Sequence, residues 1–303
     1  MEKLLLFDLM NVVFRWHHVM EKTPLIVDGL NTSAIHGFLY TAFTLIRRYQ
    51  PAYVAVCAEG GAEFRRKNHP EYKAHRPPKP PAIGVAEPII EELCGTLGLH
   101  FVRLPGAEAD DVIATYTAVA ERRGIRTLIC SADKDLSQLV SRNTVQLQPT
   151  CRGDGYLELD PEAVQQKWGV APAQIPEVLA LVGDAVDNVP GVTGIGEKGA
   201  KRLIQKYGTA LSVYHNRQEL PERQRINLEK DRENLVLSRW LVEVRQDLET
   251  ILPLLGDLRW KMPEFAQVEP SLDRYRLNTV KDLVRAHQPR VQGWKPELWE
   301  PPR

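Results

Sequence analysis

Apolar residues in the first half of the chain come in short continuous runs, separated by longer stretches in which they recur every three or four positions. LLLF (4–7), YVAVC (53–57) and TLIC (127–130) are too short for helices and show no polar face, which predicts strands buried on both sides. HFV (100–102) and TVQLQ (144–148) are shorter or more polar runs of the same kind. Helical spacing covers 33–48, 86–97, 108–123 and 134–140. Strands that alternate with helices predict an α/β layer structure. From Asp160 onward the pattern becomes one of helices and turns. DPEAVQQKWG opens on an aspartate cap with proline at the first helical position and closes on glycine. This places a boundary between a first domain over 1–160 and a helical one over 161–290, with the final stretch, ending in the Pro- and Trp-rich WKPELWEPPR, read as a tail over 291–303.

Composition narrows the picture only in part. A chain of 303 residues that is 43% hydrophobic can bury two cores. Its 39 basic and 39 acidic residues balance, so any basic surface for a polyanion has to be local. Cys57, Cys94, Cys130 and Cys151 are widely spaced with no CxxC pair, which argues against a zinc site or a disulfide framework. MEKLLLFDLMN turns acidic too early for a signal peptide, and no apolar run is long enough to span a membrane. The expectation is a cytoplasmic monomer without a membrane partner.

Acids collect where the predicted strands end. LLLF runs into Asp8, and TLICSA runs into Asp133 and Asp135. Behind the Pro105-Gly106 break, GAEADDVIA brings Glu108, Asp110 and Asp111 to the start of a helix. LVGDAVDN adds Asp184 and Asp187, three apart as Glu108 and Asp111 are. Any one pair is explained by helix dipoles or caps. Four such segments together need a positive counter-charge, since like charges in a partly buried site repel. Oxygen-only clusters suit hard cations such as Mg²⁺ or Mn²⁺, and two ions would serve phosphodiester hydrolysis.

Directly after the last acids comes NVPGVTGIGEKGAKRLIQKYG. Gly191, Gly194 and Gly196 permit a tight turn with outward-facing amides, and Lys198, Lys201 and Arg202 open the following helix. Amides plus lysines at a helix start form a phosphate site indifferent to base identity. A second basic stretch, FRRKNHPEYKAHRPPKPP, carries Arg65, Lys73 and Arg76, and its Phe64 and Tyr72 offer rings for base stacking. It is expected to be a mobile segment in contact with DNA.

GAEADDVIA, SADKDLSQLV, ALVGDAVDNVPGVTGIGEKGAKRL and FR…YKAHR together, in this order and spacing, resemble the 5′-nuclease superfamily. The similarity is to the 5′–3′ exonuclease domain of bacterial DNA polymerase I and to stand-alone flap endonucleases, well over residues 1–215 and loosely to 290. It implies a PIN-like domain, with a mainly parallel central sheet flanked by helices, followed by a helical helix-hairpin-helix domain. It further implies a structure-specific 5′–3′ exonuclease or flap endonuclease that acts on DNA with 5′ flaps, 5′ ends or junctions. Two Mg²⁺ or Mn²⁺ ions would be held by Asp8, Glu108, Asp110 and Asp111 in one group and by Asp133, Asp135, Asp184 and Asp187 in the other. Lys73 and Arg76 would act on the scissile phosphate, Arg15 would join the DNA contacts, and a K⁺ ion would sit on the hairpin. The chain departs from the pattern at Leu9-Met10, at Gly199, and most of all at Ala58, where an aspartate should end the strand. The nearest substitute is Glu59, which strand alternation aims to the opposite face but the freedom of Gly60-Gly61 would swing back. A haloacid-dehalogenase-like phosphatase is excluded, since its second acid would fall on Met10. A catalytically impaired junction-binding protein of the same fold is the remaining alternative.

Overall fold

The computed structural model describes residues 1–150 and 155–287, so Cys151 and the expected tail over 291–303 lie outside the described residues. The elements begin with β1 (Lys3–Asp8), α1 (Leu9–Val19), the short pair β2 (Ile26–Val27) and β3 (Leu30–Asn31), and α2 (Ser33–Tyr49). They continue with β4 (Tyr53–Ala58), α3 (Glu63–Asn68), α4 (Pro81–Thr96), β5 (His100–Arg103) and α5 (Ala109–Arg122). The sheet is completed by β6 (Arg126–Cys130), β7 (Thr144–Pro149) and β8 (Tyr156–Leu159). Its order is β5-β4-β1-β6-β7-β8, parallel except for β8, which runs antiparallel to β7.

The apolar runs become strands because both faces of the sheet are covered. Leu5, Phe7, Val54, Val56, Leu128 and Cys130 point into a core shared with α2 and α4, while Leu4, Leu6, Ala55, Cys57 and Ile129 point into a second layer shared with α5. All five expected strands are present. Three further features were not expected. α1 starts directly behind Asp8, which caps it, its Oδ1 accepting from Asn11 N at 3.1 Å. β8 closes the sheet edge, and α4 begins at Pro81, five residues before the expected start at 86. The expected helix at 134–140 is a short 3₁₀ turn over Asp135–Leu139.

The helical part contains α6 (Pro161–Trp168), α7 (Ile175–Val182), α8 (Glu197–Tyr207), α9 (Ala210–His215), α10 (Glu222–Lys230) and α11 (Arg232–Val242). Asp160 caps α6 as expected, accepting from Ala163 N at 2.8 Å. These helices bury their own core, which also takes in Ala62 and Tyr72 from the first half. The chain then turns back. Val244, Leu248, Leu252, Leu255 and Leu258 pack into the α5 layer. α12 (Phe265–Arg274) and α13 (Asn278–Ala286) bury Val268, Leu272, Val280 and Val284 in the core that contains α2. The span 161–290 is therefore divided by packing, with 161–242 in its own core and 244–284 returned to the sheet.

Candidate active site and nucleic-acid interface

β1 lies at the middle of the sheet with β4 on one side and β6 on the other, and clefts form at the carboxyl ends of strands so arranged. Here an open cleft of about 450 Å³ is lined by Asp8, Glu59, Lys73, Arg76, Asp110 and Asp133, with Met10, Asn11, Phe14 and Arg15 of α1 along one wall. Asp8 is 7% exposed and accepts from Ser131 Oγ at 2.8 Å as well as from Asn11 N. Burial pushes its carboxyl up to about 6, against those two hydrogen bonds and with Asp133 adding to the rise. Asp110 is raised well above the usual carboxylate range by burial first, then by Asp133 and Asp8. Asp135 is pushed up to about 7 by burial and by Asp133. Its Oδ1 is buried without a hydrogen-bond partner, although Asp133 Oδ1 accepts from Asp135 N at 2.8 Å.

Such a set of carboxylates, drawn together by the fold and left short of donors, fits a hard divalent cation. As they stand, no three acidic, histidine or cysteine side chains among the described residues converge closely enough to hold an ion. Cationic side chains face them instead. Lys73 Nζ is paired with Glu108 Oε1. Arg76 holds Asp187 by two bonds of 2.6 and 2.8 Å, and Lys134 Nζ meets Asp184 at 2.9 Å. Burial opposes ionisation of Asp184, but Lys134 and the amides of Val186 and Asp187 together hold its carboxyl below the ordinary value. Asp184 and Asp187 stand outside the residues lining the cleft, on the turn that follows Gly183.

Three expectations are corrected by the position of Arg65. It is 4% exposed and turned inward, so it is not a surface contact for DNA. Its Nη1 donates to Glu108 Oε2 and to Asp111 Oδ2 at 2.7 Å, and its Nη2 to Asp111 Oδ1 at 2.9 Å. Nε reaches Leu241 O at 2.9 Å and Nη2 reaches Glu243 O at 2.8 Å. The counter-charge of Asp111 is thus an arginine, which Glu108 shares while its other oxygen meets Lys73, and neither carboxylate is among the residues lining the cleft, where both were expected to hold an ion. Tyr72, expected to stack on bases, is 5% exposed and packs in the helical core with its OH donating to Glu108 at 3.3 Å. Phe64 is not free either, since its ring lies 5.1 Å from Trp240 and under the guanidinium of Arg245 at 4.0 Å. Lys73 and Arg76 do reach the cleft, as does Arg15.

Glu59 lines the cleft, one residue beyond the position where an aspartate was expected. Alternation along β4 sends residue 59 to the face opposite Ala58, but the strand ends at Ala58 and Gly60 is drawn against the 104–107 segment. Gly60 N donates to Ala107 O at 3.0 Å and Gly106 N donates to Gly60 O at 2.9 Å. A Cβ at Gly60 would lie 1.9 Å from Leu104 O, so only glycine permits this approach. The approach delivers Glu59 Oε2 to Ala109 N at 3.2 Å, at the start of α5. Burial raises its carboxyl, with Lys73 pulling the other way. The signal available in the sequence was the Gly60-Gly61 pair.

The glycine segment forms a hairpin between α7 and α8. Gly191 and Gly194 adopt φ of +63° and +77°, whereas Gly196 has φ −85° and caps α8. Gly183, not singled out in the sequence, is the partner of Gly191: a Cβ on either would meet backbone of the other turn at 2.5–2.6 Å. The amides do not all face outward. Gly191 N donates to Ser238 Oγ at 2.8 Å, Thr193 N to Asp231 Oδ2 at 2.8 Å, and Val192 N to Leu181 O at 2.9 Å. Gly194 and Gly196 keep amides without an acceptor among the described residues. Lys198 and Arg202 are exposed beside them, while Lys201 is paired with Glu197 at 2.5 Å and lies over the Trp168 ring at 4.7 Å.

Residues 3–169 match the family model of the 5′–3′ exonuclease N-terminal resolvase-like domain, and residues 170–266 match that of the 5′–3′ exonuclease C-terminal SAM fold. A 5′–3′ exonuclease of Aquifex aeolicus is 37% identical over 253 residues, covering 83% of this chain and 85% of that protein. The thermostable DNA polymerase I of Thermus thermophilus is 34% identical over 271 residues, covering 87% of this chain but only 32% of the polymerase. Among solved structures, the T5 5′-exonuclease with bound zinc superposes with a TM-score of 0.66 at 24% identity, over 93% of this chain and 100% of that one. The catalytic core of Rad2 in complex with DNA substrate gives 0.60 at 15% identity, over 94% and 92%. The structures establish the shared fold; with the family models and the sequence relatives, they show that this chain belongs to the 5′–3′ exonuclease family.

Proposed function

We propose that this member of the family hydrolyses phosphodiester bonds of DNA at 5′ ends, 5′ flaps or junctions, in the cleft where Asp8, Asp110 and Asp133 face Lys73 and Arg76. That opposition of buried acids and cations at the strand ends is the observation that carries the reading. Asp8, Asp110, Asp133 and Asp135 would hold divalent ions, Mg²⁺ or Mn²⁺, with Asp184 and Asp187 joining from the rim. Bound there, such ions supply an activated water and neutralise the leaving oxygen. The protein's own part is to place the phosphate. Lys73, in a left-handed conformation with φ +56° and its amide held by Asp187 O at 3.1 Å, lines the cleft with its ammonium paired to Glu108. Arg76 lies within reach of the same phosphate, where positive charge favours the transition state. Arg15 lines the same cleft from α1. The amides of Gly194 and Gly196, with Lys198 and Arg202, would hold duplex backbone without reading sequence. K⁺ at the hairpin belongs to the same reading, as does action as a monomer.

The test is cleavage of an end-labelled 5′-flap DNA by the full chain with Mg²⁺ or Mn²⁺. Wild type should release the flap, and Asp110→Asn should bind the substrate yet leave it intact. Tight binding by wild type with no cleavage under either ion would transfer the case to the junction-binding alternative.

A further inference from the structure

Glu59 stands one residue beyond the end of β4, next to Ala58, which carries no ligand atom. Two readings of its place in the cleft compete. In the first it is only a cap for α5, since Glu108 at the N-cap position makes no side-chain cap bond and Glu59 Oε2 takes Ala109 N instead. In the second it is a working carboxylate of the cleft. A cap needs one neutral acceptor and gains little from a full negative charge beside three other acids. Here Glu59 shares the cleft lining with Asp8, Asp110 and Asp133, and its second oxygen, Oε1, has no hydrogen-bond partner among the described residues. The backbone next to it is also fixed, because Gly60 is bonded on both sides to the 104–107 segment and cannot be replaced without a clash.

We propose that Glu59 supplies its free carboxylate oxygen to a divalent cation in this cleft, taking over from the strand-end position occupied by Ala58. The proposal rests on the metal reading given under Proposed function. The approach at Gly60 moves the ligand from the last residue of the strand to the first residue of the loop. The extra methylene of glutamate spans the added distance, and the bond from Ala109 N holds the carboxylate to the helix that carries Asp110.

Replacement by glutamine separates the two readings, because Gln keeps an acceptor for Ala109 N and loses only the charge. Mn²⁺ is titrated calorimetrically into the DNA-free full chain for wild type, Glu59→Gln and Asp110→Asn, with the melting temperature of each recorded without the ion. Glu59→Gln should melt at or above wild type and bind Mn²⁺ about tenfold more weakly, the scale on which loss of a metal-supporting group is felt. Unchanged Mn²⁺ affinity in Glu59→Gln, with weakened binding in Asp110→Asn, reduces Glu59 to a cap and overturns the proposal alone. Unchanged affinity in both variants removes the cation site itself, and with it the reading on which the proposal rests.

Discussion

Two adjacent aspartates, Asp110 and Asp111, have opposite environments, and that contrast was invisible in the motif GAEADDVIA. Asp110 lines the cleft among like charges, whereas Asp111 is held by both terminal nitrogens of Arg65 and also accepts from Arg245 N at 2.9 Å. Without divalent ions, Asp110→Asn should therefore leave the melting temperature equal or higher, because it removes charge from a repulsive group. Asp111→Asn should lower stability by about 3 kcal/mol, because it breaks a buried pair and leaves Arg65 short of an anion. Calorimetric melting of both variants checks this, and equal melting temperatures would show that the arginine pair contributes nothing. Asp8 and Asp133 were legible at the ends of apolar runs and Asp110 at a helix start, because several acidic segments together exceed what caps and helix dipoles use. Arg65 was not, since its fellow basics in FRRKNHP are exposed and its partners lie 43 to 178 positions away.

Among the elements, strands were read correctly because burial on both faces leaves an unbroken apolar run. α1 was missed although Leu9, Val12 and Val13 repeat at helical spacing behind Asp8, because the stretch LMNVVF reads equally well as a continuation of β1. The hairpin was visible through its glycines, but its amides were not, since their acceptors Asp231 and Ser238 lie in or beside α11. Two expectations follow for this element. Lys198→Ala should flatten the salt dependence of DNA affinity by up to about one unit, and Lys201→Ala by less, because Glu197 already engages Lys201. Binding titrations across salt concentration measure both slopes, and equal slopes would refute the distinction. The hydrogen bond from Thr193 holds the Asp231 carboxyl below its ordinary value of 3.8. A lowered value in the folded state means stability that is present above 3.8 and lost as pH falls through the folded-state value. Asp231→Asn should accordingly melt below wild type at neutral pH and converge with it in acid, as thermal melts across pH would record.

At the scale of the molecule, what the sequence hid was the return of the chain. Helical spacing announces α12 and α13, but nothing local says that Val268, Leu272, Val280 and Val284 belong to the core around α2. Each such side chain is worth about 1.5–3 kcal/mol when buried, so their joint removal is comparable to the whole margin of an ordinary domain. Deletion of residues 265–287 should abolish the cooperative melt of the sheet, as circular dichroism against temperature would show; an unchanged melt would mean that the helices are ornamental. Arg65 ties the same long path together, with its acids in the first half and its carbonyls at Leu241 and Glu243. A ribosome delivers these parts in sequence. Asp111 and the amide of Arg245 are 134 positions apart, on the order of ten seconds of synthesis at about 5–20 residues per second. Through that interval the buried acid pair lacks part of its cover, so α5, which carries Asp110 to the cleft, gains its last anchor only when the chain past residue 242 has emerged.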